Sequence, residues 1–109
     1  MKLEKYKILR IYVNEDTKYN GHNLYHFLTL KLRELGLKGV TVIRGIEGFG
    51  TDKVLHTTRI LDLSFDLPII IEVIDDENKI IKALSEISQY VSKRLITITD
   101  VSVAKFENK

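Results

Sequence analysis

Residues 67–77 read LPIIIEVIDDE, and this stretch decides the fold. Its apolar residues fill both alternating sets, Ile69/Ile71/Val73 and Ile70/Ile74, as in a strand buried on two faces. Pro68 stands at its head, where a missing N–H does least harm. The carboxylates that follow, Asp75, Asp76 and Glu77, suit the positive end of a helix dipole. Behind them Ile80, Ile81, Leu84, Ile87 and Val91 recur at helical spacing and form the expected buried stripe. A strand therefore feeds directly into an amphipathic helix.

Toward the N-terminus the same pair of elements recurs. Residues 6–13 carry two apolar sets, Leu9/Ile11/Val13 and Ile8/Tyr12, and predict another two-sided strand. After the polar turn 14–17, residues 20–35 predict a helix with Leu24, Leu28, Leu32 and Leu35 on one face, widened by Tyr25 and Phe27. Gly36 ends it, since glycine accepts the left-handed conformation common at helix ends. Residues 40–46 predict a second strand, and residues 95–106 a last one, interrupted by Asp100. The order β-α-β-β-α-β is the ferredoxin-like arrangement, an α+β fold with two helices on one face of a four-stranded antiparallel sheet. The whole chain, 1–109, is expected to form one such domain.

In that fold the second sheet face needs a cover, and here both central strands offer it apolar residues. At about 25 cal/mol per Å2, leaving them wet forfeits several kcal/mol, and a patch of this kind marks an interface. A homo-oligomer packed through its sheets is expected; the alternative is a monomer with ragged alternation.

Composition narrows the function. At 109 residues and 44% hydrophobic, the chain has material for one core and is not disordered. Cysteine is absent, which excludes disulfides, thiolate nucleophiles and zinc fingers. A net charge of +2 is too even for a strong nucleic-acid or membrane-surface reader. The RNA-recognition module shares the topology, but residues 69–74 lack the aromatics that stack bases. Residues 1–5 hold no apolar signal, and the longest apolar run, 67–71, falls far short of the roughly 20 residues of a membrane span, so a cytoplasmic address is expected.

The segment between the second and third predicted strands is long, and it opens with Arg44-Gly45-Ile46-Glu47-Gly48-Phe49-Gly50. Glycines let backbone N–H groups approach an anion, and Arg44 adds a forked charge suited to phosphate or carboxylate. A flexible hairpin explains the same glycines, and neither G-x-G-x-x-G nor a P-loop is present. Residues 55–61 alternate like an extended arm, on which His56 and Arg59 are either donors to an anion or a solvated edge. His22 and His26 have a metal-binding spacing, but no third ligand is evident and surface histidines explain them. No catalytic constellation is evident.

The motif 44–50, with His56-Thr57, Arg59-Ile60-Leu61, Leu63-Ser64 and Asp66-Leu67-Pro68, resembles the domain of unknown function 190 family, grouped with the PII-like proteins. Leu24-Tyr25, Glu72-Val73-Ile74-Asp75 and Leu95-Ile96-Thr97-Ile98 extend the resemblance over nearly the whole chain, while His22-Asn23 stands where the family often has proline. The resemblance implies a cytoplasmic PII-like homotrimer, a non-enzymatic sensor that binds an adenine nucleotide (ADP, AMP or ATP) or a similar small anion in subunit clefts, without a metal. It also implies signalling through the 47–66 loop to a target, often a membrane transporter. PII has a glycine-rich phosphate loop before its last strand; this chain has Ser92-Lys93-Arg94 there. The implied ligand-binding set is therefore Arg44, Gly45, Gly48, Phe49, Gly50, His56, Arg59, Lys93 and Arg94. The competing readings are a divalent-metal-binding trimer similar to the cation-tolerance protein CutA, and an interaction module without a ligand.

Overall fold

The computed structural model describes residues 1–57 and 66–106. Strand β1 (Lys2–Asn14) runs into a small hairpin of β2 (Lys18–Tyr19) and β3 (His22–Asn23), then helix α1 (Leu24–Glu34) and strand β4 (Val40–Arg44). Two short strands follow, β5 (Glu47–Gly48) and β6 (His56–Thr57), and then β7 (Pro68–Asp75), α2 (Glu77–Val91) and β8 (Leu95–Lys105). The main sheet has the order β4-β7-β1-β8, with every neighbour antiparallel. This is the expected α+β, ferredoxin-like βαββαβ arrangement.

Alternation builds the core. Leu9, Ile11 and Val13 of β1 and Ile69, Ile71 and Val73 of β7 are buried under Leu24, Leu28 and Leu32 of α1 and Ile80, Ala83, Ile87 and Val91 of α2. Burying one such side chain is worth about 1.5–3 kcal/mol. Ile81, expected in the stripe, is instead 56% exposed: Ile80, Ala83 and Ile87 define the buried arc, and Ile81 falls off it. Among the described residues, no helix is long and apolar enough to cross a membrane.

Helix α1 starts at Leu24, not Asn20. Asn20 (φ 49°) and Gly21 (φ 80°) take left-handed conformations and close the β2–β3 hairpin, the preference of an Asn-Gly pair. The far end matches expectation: Gly36 (φ 83°) donates to the Arg33 carbonyl and Leu37 to that of Leu32, so two last-turn carbonyls are satisfied.

The opposite face of the sheet is banded. Register places Ile43, Ile70, Tyr12 and Leu95 in one row and Ile74, Ile8 and Thr99 in another. Between them lies the row Thr41, Glu72, Arg10 and Thr97, where Arg10 Nε donates to Glu72 Oε2 at 2.9 Å. Leu95 is 63% exposed and Ile43 41%, and no described element covers these rows.

Asp75 proves to be more than a helix-end charge. Its carboxylate is fully buried and accepts from the Lys38 and Asp76 backbone N–H groups at 2.9 and 2.8 Å. It thereby pins the α1–β4 connection to the end of β7. Asp76 is the N-cap, accepting from Lys79 N–H. Burial pushes the Asp75 carboxyl up, but the two backbone donors, helped by the charges of Lys79 and Lys38, outweigh it and hold the group below its ordinary value. A depressed folded-state pKa stabilises above the unfolded value of about 3.9, and that stabilisation is lost as pH falls through the folded pKa. Asp75→Asn should therefore cost about 1–3 kcal/mol at neutral pH. Denaturant melts of both proteins should show the difference shrinking below about pH 4.

Candidate functional site

The connection from β4 to β7 is held by Pro68. Gly45 N–H donates to the Pro68 carbonyl at 2.7 Å. A Cβ on Gly45 would lie 2.8 Å from Pro68 Cγ and 3.3 Å from its carbonyl oxygen; on Gly48 it would lie 3.1 Å from the same Cγ. Gly45 thus has no room for a side chain against Pro68 and Gly48 packs tightly on the same ring, and the Gly45 N–H is not free for an anion. Gly50 meets nothing within 4 Å. The chain then pairs β5 with β6, Glu47 opposite Thr57 and Gly48 opposite His56, and turns at the tip, where Lys53 N–H donates to the Gly50 carbonyl.

Against this hairpin base lies a cleft of about 580 Å3. One wall is the hairpin, with Gly45, Glu47, Gly48, Phe49, Gly50, Thr51, Asp52 and His56. The facing wall is the α2–β8 turn, Lys93, Arg94 and Leu95. Tyr12, Ile70 and Pro68 contribute apolar surface from the central strands. A basic pair thus faces a glycine-rich turn across an apolar floor. Such a cleft can hold a flat apolar ring at one side and an anionic group at the other.

Seven expected site residues, Gly45, Gly48, Phe49, Gly50, His56, Lys93 and Arg94, come together there. Arg44 does not line the cleft. It is in register with the buried Ile69, and its Nη2 donates to Glu15 Oε1 at 3.0 Å. The β4 register places it beside the β1–β2 turn, apart from the seven residues above. Arg59 lies outside the described residues.

Other lining residues had no strong sequence signal. In the sequence Tyr12 stands only as one side of a two-sided strand, Glu47 only as part of the 44–50 motif, and Asp52 carries no signal. Asp66 also matters: its Oδ1 accepts from Asp16 N–H at 2.9 Å, and its Oδ2 lies 3.6 Å from His56 Nδ1. The exposed His22 and His26 sit on β3 and α1, and no group of three or more metal-ligating side chains occurs among the described residues. A second cavity of about 350 Å3 lies between β1, β8 and the start of α2. There Lys7 is paired with Asp100 and lies 3.6 Å from Glu77, so its charge is already balanced.

Comparison with known proteins agrees with the fold. The family profile DUF190, described as "Uncharacterized ACR, COG1993", matches residues 6–103. A UPF0166 protein of Aquifex aeolicus (strain VF5) is 39% identical over 103 residues, spanning 94% of this chain and 97% of the relative. A UPF0166 protein of Methanocaldococcus jannaschii is 38% identical over 104 residues, spanning 94% and 95%. Among solved structures, CPII of Thiomonas intermedia K12, bound to ADP and bicarbonate, superposes with a TM-score of 0.71 at 22% identity, covering 95% of this chain and 93% of that one. The same protein bound to ADP, AMP and bicarbonate, described as a nitrogen regulatory PII-like protein, gives 0.72 at 21% identity, covering 95% and 92%. The fold is PII-like.

The Pro68 contacts separate the glycines experimentally. Gly45→Ala should lower the unfolding midpoint by the equivalent of about 1–3 kcal/mol through overpacking, whereas Gly50→Ala should be close to neutral. Parallel thermal melts of the two variants check this; equal effects would contradict the assigned packing.

Proposed function

The chain belongs to the DUF190 family, and from that premise we propose that it is a PII-like sensor without enzymatic activity. It assembles as a homotrimer through the banded sheet face and binds an adenine nucleotide, ADP or AMP, in the cleft beneath the 47–66 loop. Occupancy of the cleft changes the order of that loop, which is the signal a target protein reads.

One observation carries the reading: residues far apart in sequence, 45, 47–50, 56 and 93–94, line a single cleft at the root of the long loop. Lys93 and Arg94 replace a glycine-rich phosphate loop by side-chain charge, and Arg can grip a phosphate through two parallel hydrogen bonds. Tyr12, Phe49 and Leu95 offer apolar surface to the base, and Glu47 and Asp52 are acceptors for ribose hydroxyls. The structural relatives that hold ADP, AMP and bicarbonate support this choice of ligand. Tyr12, Ile70 and Leu95 belong both to the cleft and to the banded face, so a neighbouring subunit covering that face would also close the cleft.

Titration calorimetry with ADP and with AMP tests the proposal. Both should bind, and the double variant Lys93→Ala/Arg94→Ala should lose affinity at least roughly tenfold, as expected for lost hydrogen bonds to a charged group. His22→Ala/His26→Ala should bind as the parent does. Absence of binding by the parent protein, or full binding by the Lys93/Arg94 variant, would contradict the reading.

A further inference from the structure

The charged side chains that line the cleft cancel: Lys93 and Arg94 on one wall, Glu47 and Asp52 on the other. Among the described lining residues, His56 is the one whose protonation would add a positive charge, so its proton would tip that balance. Its ring is largely enclosed, with 17% of the side chain exposed, and Nδ1 lies 3.6 Å from Asp66 Oδ2. Asp66 is held in place, because its other oxygen accepts from the Asp16 backbone N–H at 2.9 Å. Behind it Glu15 is occupied by Arg44 Nη2 and lies 3.5 Å from Leu67 N. The groups around His56 are therefore Asp66 at its Nδ1 side, Glu47 and Asp52 on the hairpin, Lys93 and Arg94 across the cleft, and the Glu15–Arg44 pair beyond Asp66.

We propose that His56, oriented by Asp66, is a proton-linked ligand contact: the cleft takes up a proton when it takes up an anion. The inference rests on the anion-binding reading above. A neutral imidazole has one donor nitrogen, whereas the cation has two. With Nδ1 turned to Asp66, the protonated ring can donate there and offer Nε2–H to a ligand at once. Protonation also turns a balanced set of lining charges into a net positive one. Histidine makes this change between about pH 5 and 8, so the affinity of the site follows physiological acidity. Asp66 acts as the positioning residue: its carboxylate lies on the Nδ1 side of the ring, which leaves Nε2 as the nitrogen turned away from it.

The sign follows from linkage. A bound anion favours the imidazolium, so affinity rises as pH falls from 8 to 6. The phosphate's own ionisation works the other way, since higher pH adds negative charge to it, and it is common to every variant.

Calorimetry with ADP at pH 6, 7 and 8 in buffers of different ionisation enthalpy reads both affinity and proton uptake. The parent protein should bind roughly tenfold tighter at pH 6 than at pH 8 and take up protons at pH 7. His56→Gln should lose the rise in affinity toward low pH, keeping only the opposite dependence set by the phosphate's own ionisation, and should show no such uptake. Asp66→Asn keeps an acceptor for Asp16 N–H but removes the charge facing His56, so proton uptake on binding should fall while binding persists. ADP binding whose pH profile is the same in His56→Gln as in the parent overturns this inference alone. No ADP binding at any pH removes the nucleotide reading, and this inference with it.

Discussion

Two helices cover one face of a four-stranded sheet, and every other feature of the protein follows from that one-sidedness. The covered face is a dry core of Leu, Ile and Val from β1 and β7 under α1 and α2. The uncovered face carries Ile8, Ile43, Ile70, Ile74, Tyr12 and Leu95 in rows on either side of the Arg10–Glu72 pair. A surface of that kind is costly in water, and its polar row suits a specific partner better than any apolar one. The ion pair at 2.9 Å joins β1 to β7 within the chain, and were a partner to bury it, loss of either member would be strongly penalised.

The cleft inherits this geometry. Pro68 begins β7, so its ring sits where β4 hands over to the long loop, and Gly45 and Gly48 pack on it. The loop root is thereby fastened to the central strand, while α2 delivers Lys93 and Arg94 to the other wall. The lining groups come from β5, β6 and the α2–β8 turn, and the segment proposed to carry a signal starts from this base. Asp75 does similar work at the opposite end of β7, tying Lys38 and Asp76 together.

Most of the fold was legible because it rests on periodicity. The two-sided runs in β1 and β7, the leucine stripe of α1 and the stripe of α2 each expose their element directly. The start of α1 was misplaced because helical spacing was followed through Asn20-Gly21, although that pair is itself a hairpin signal. Ile81 misled because a run of two isoleucines hides which one faces inward. Within the candidate site, glycines and basic residues were legible as types, but their roles were not. Gly45 and Gly48 answer to a proline twenty or more residues away, and the side on which Arg44 lies depends on strand register. The Asp66–His56 contact joins the segment before β7 to β6 and leaves no local pattern in the sequence.

The central claim is that the uncovered sheet face is an interface, and that the cleft at its edge is finished by neighbouring copies. Sedimentation equilibrium at micromolar concentration without ligand tests it most directly. The account predicts a species about three times the 12.6 kDa chain mass, as in a PII-like trimer. A single species at the chain mass would contradict it.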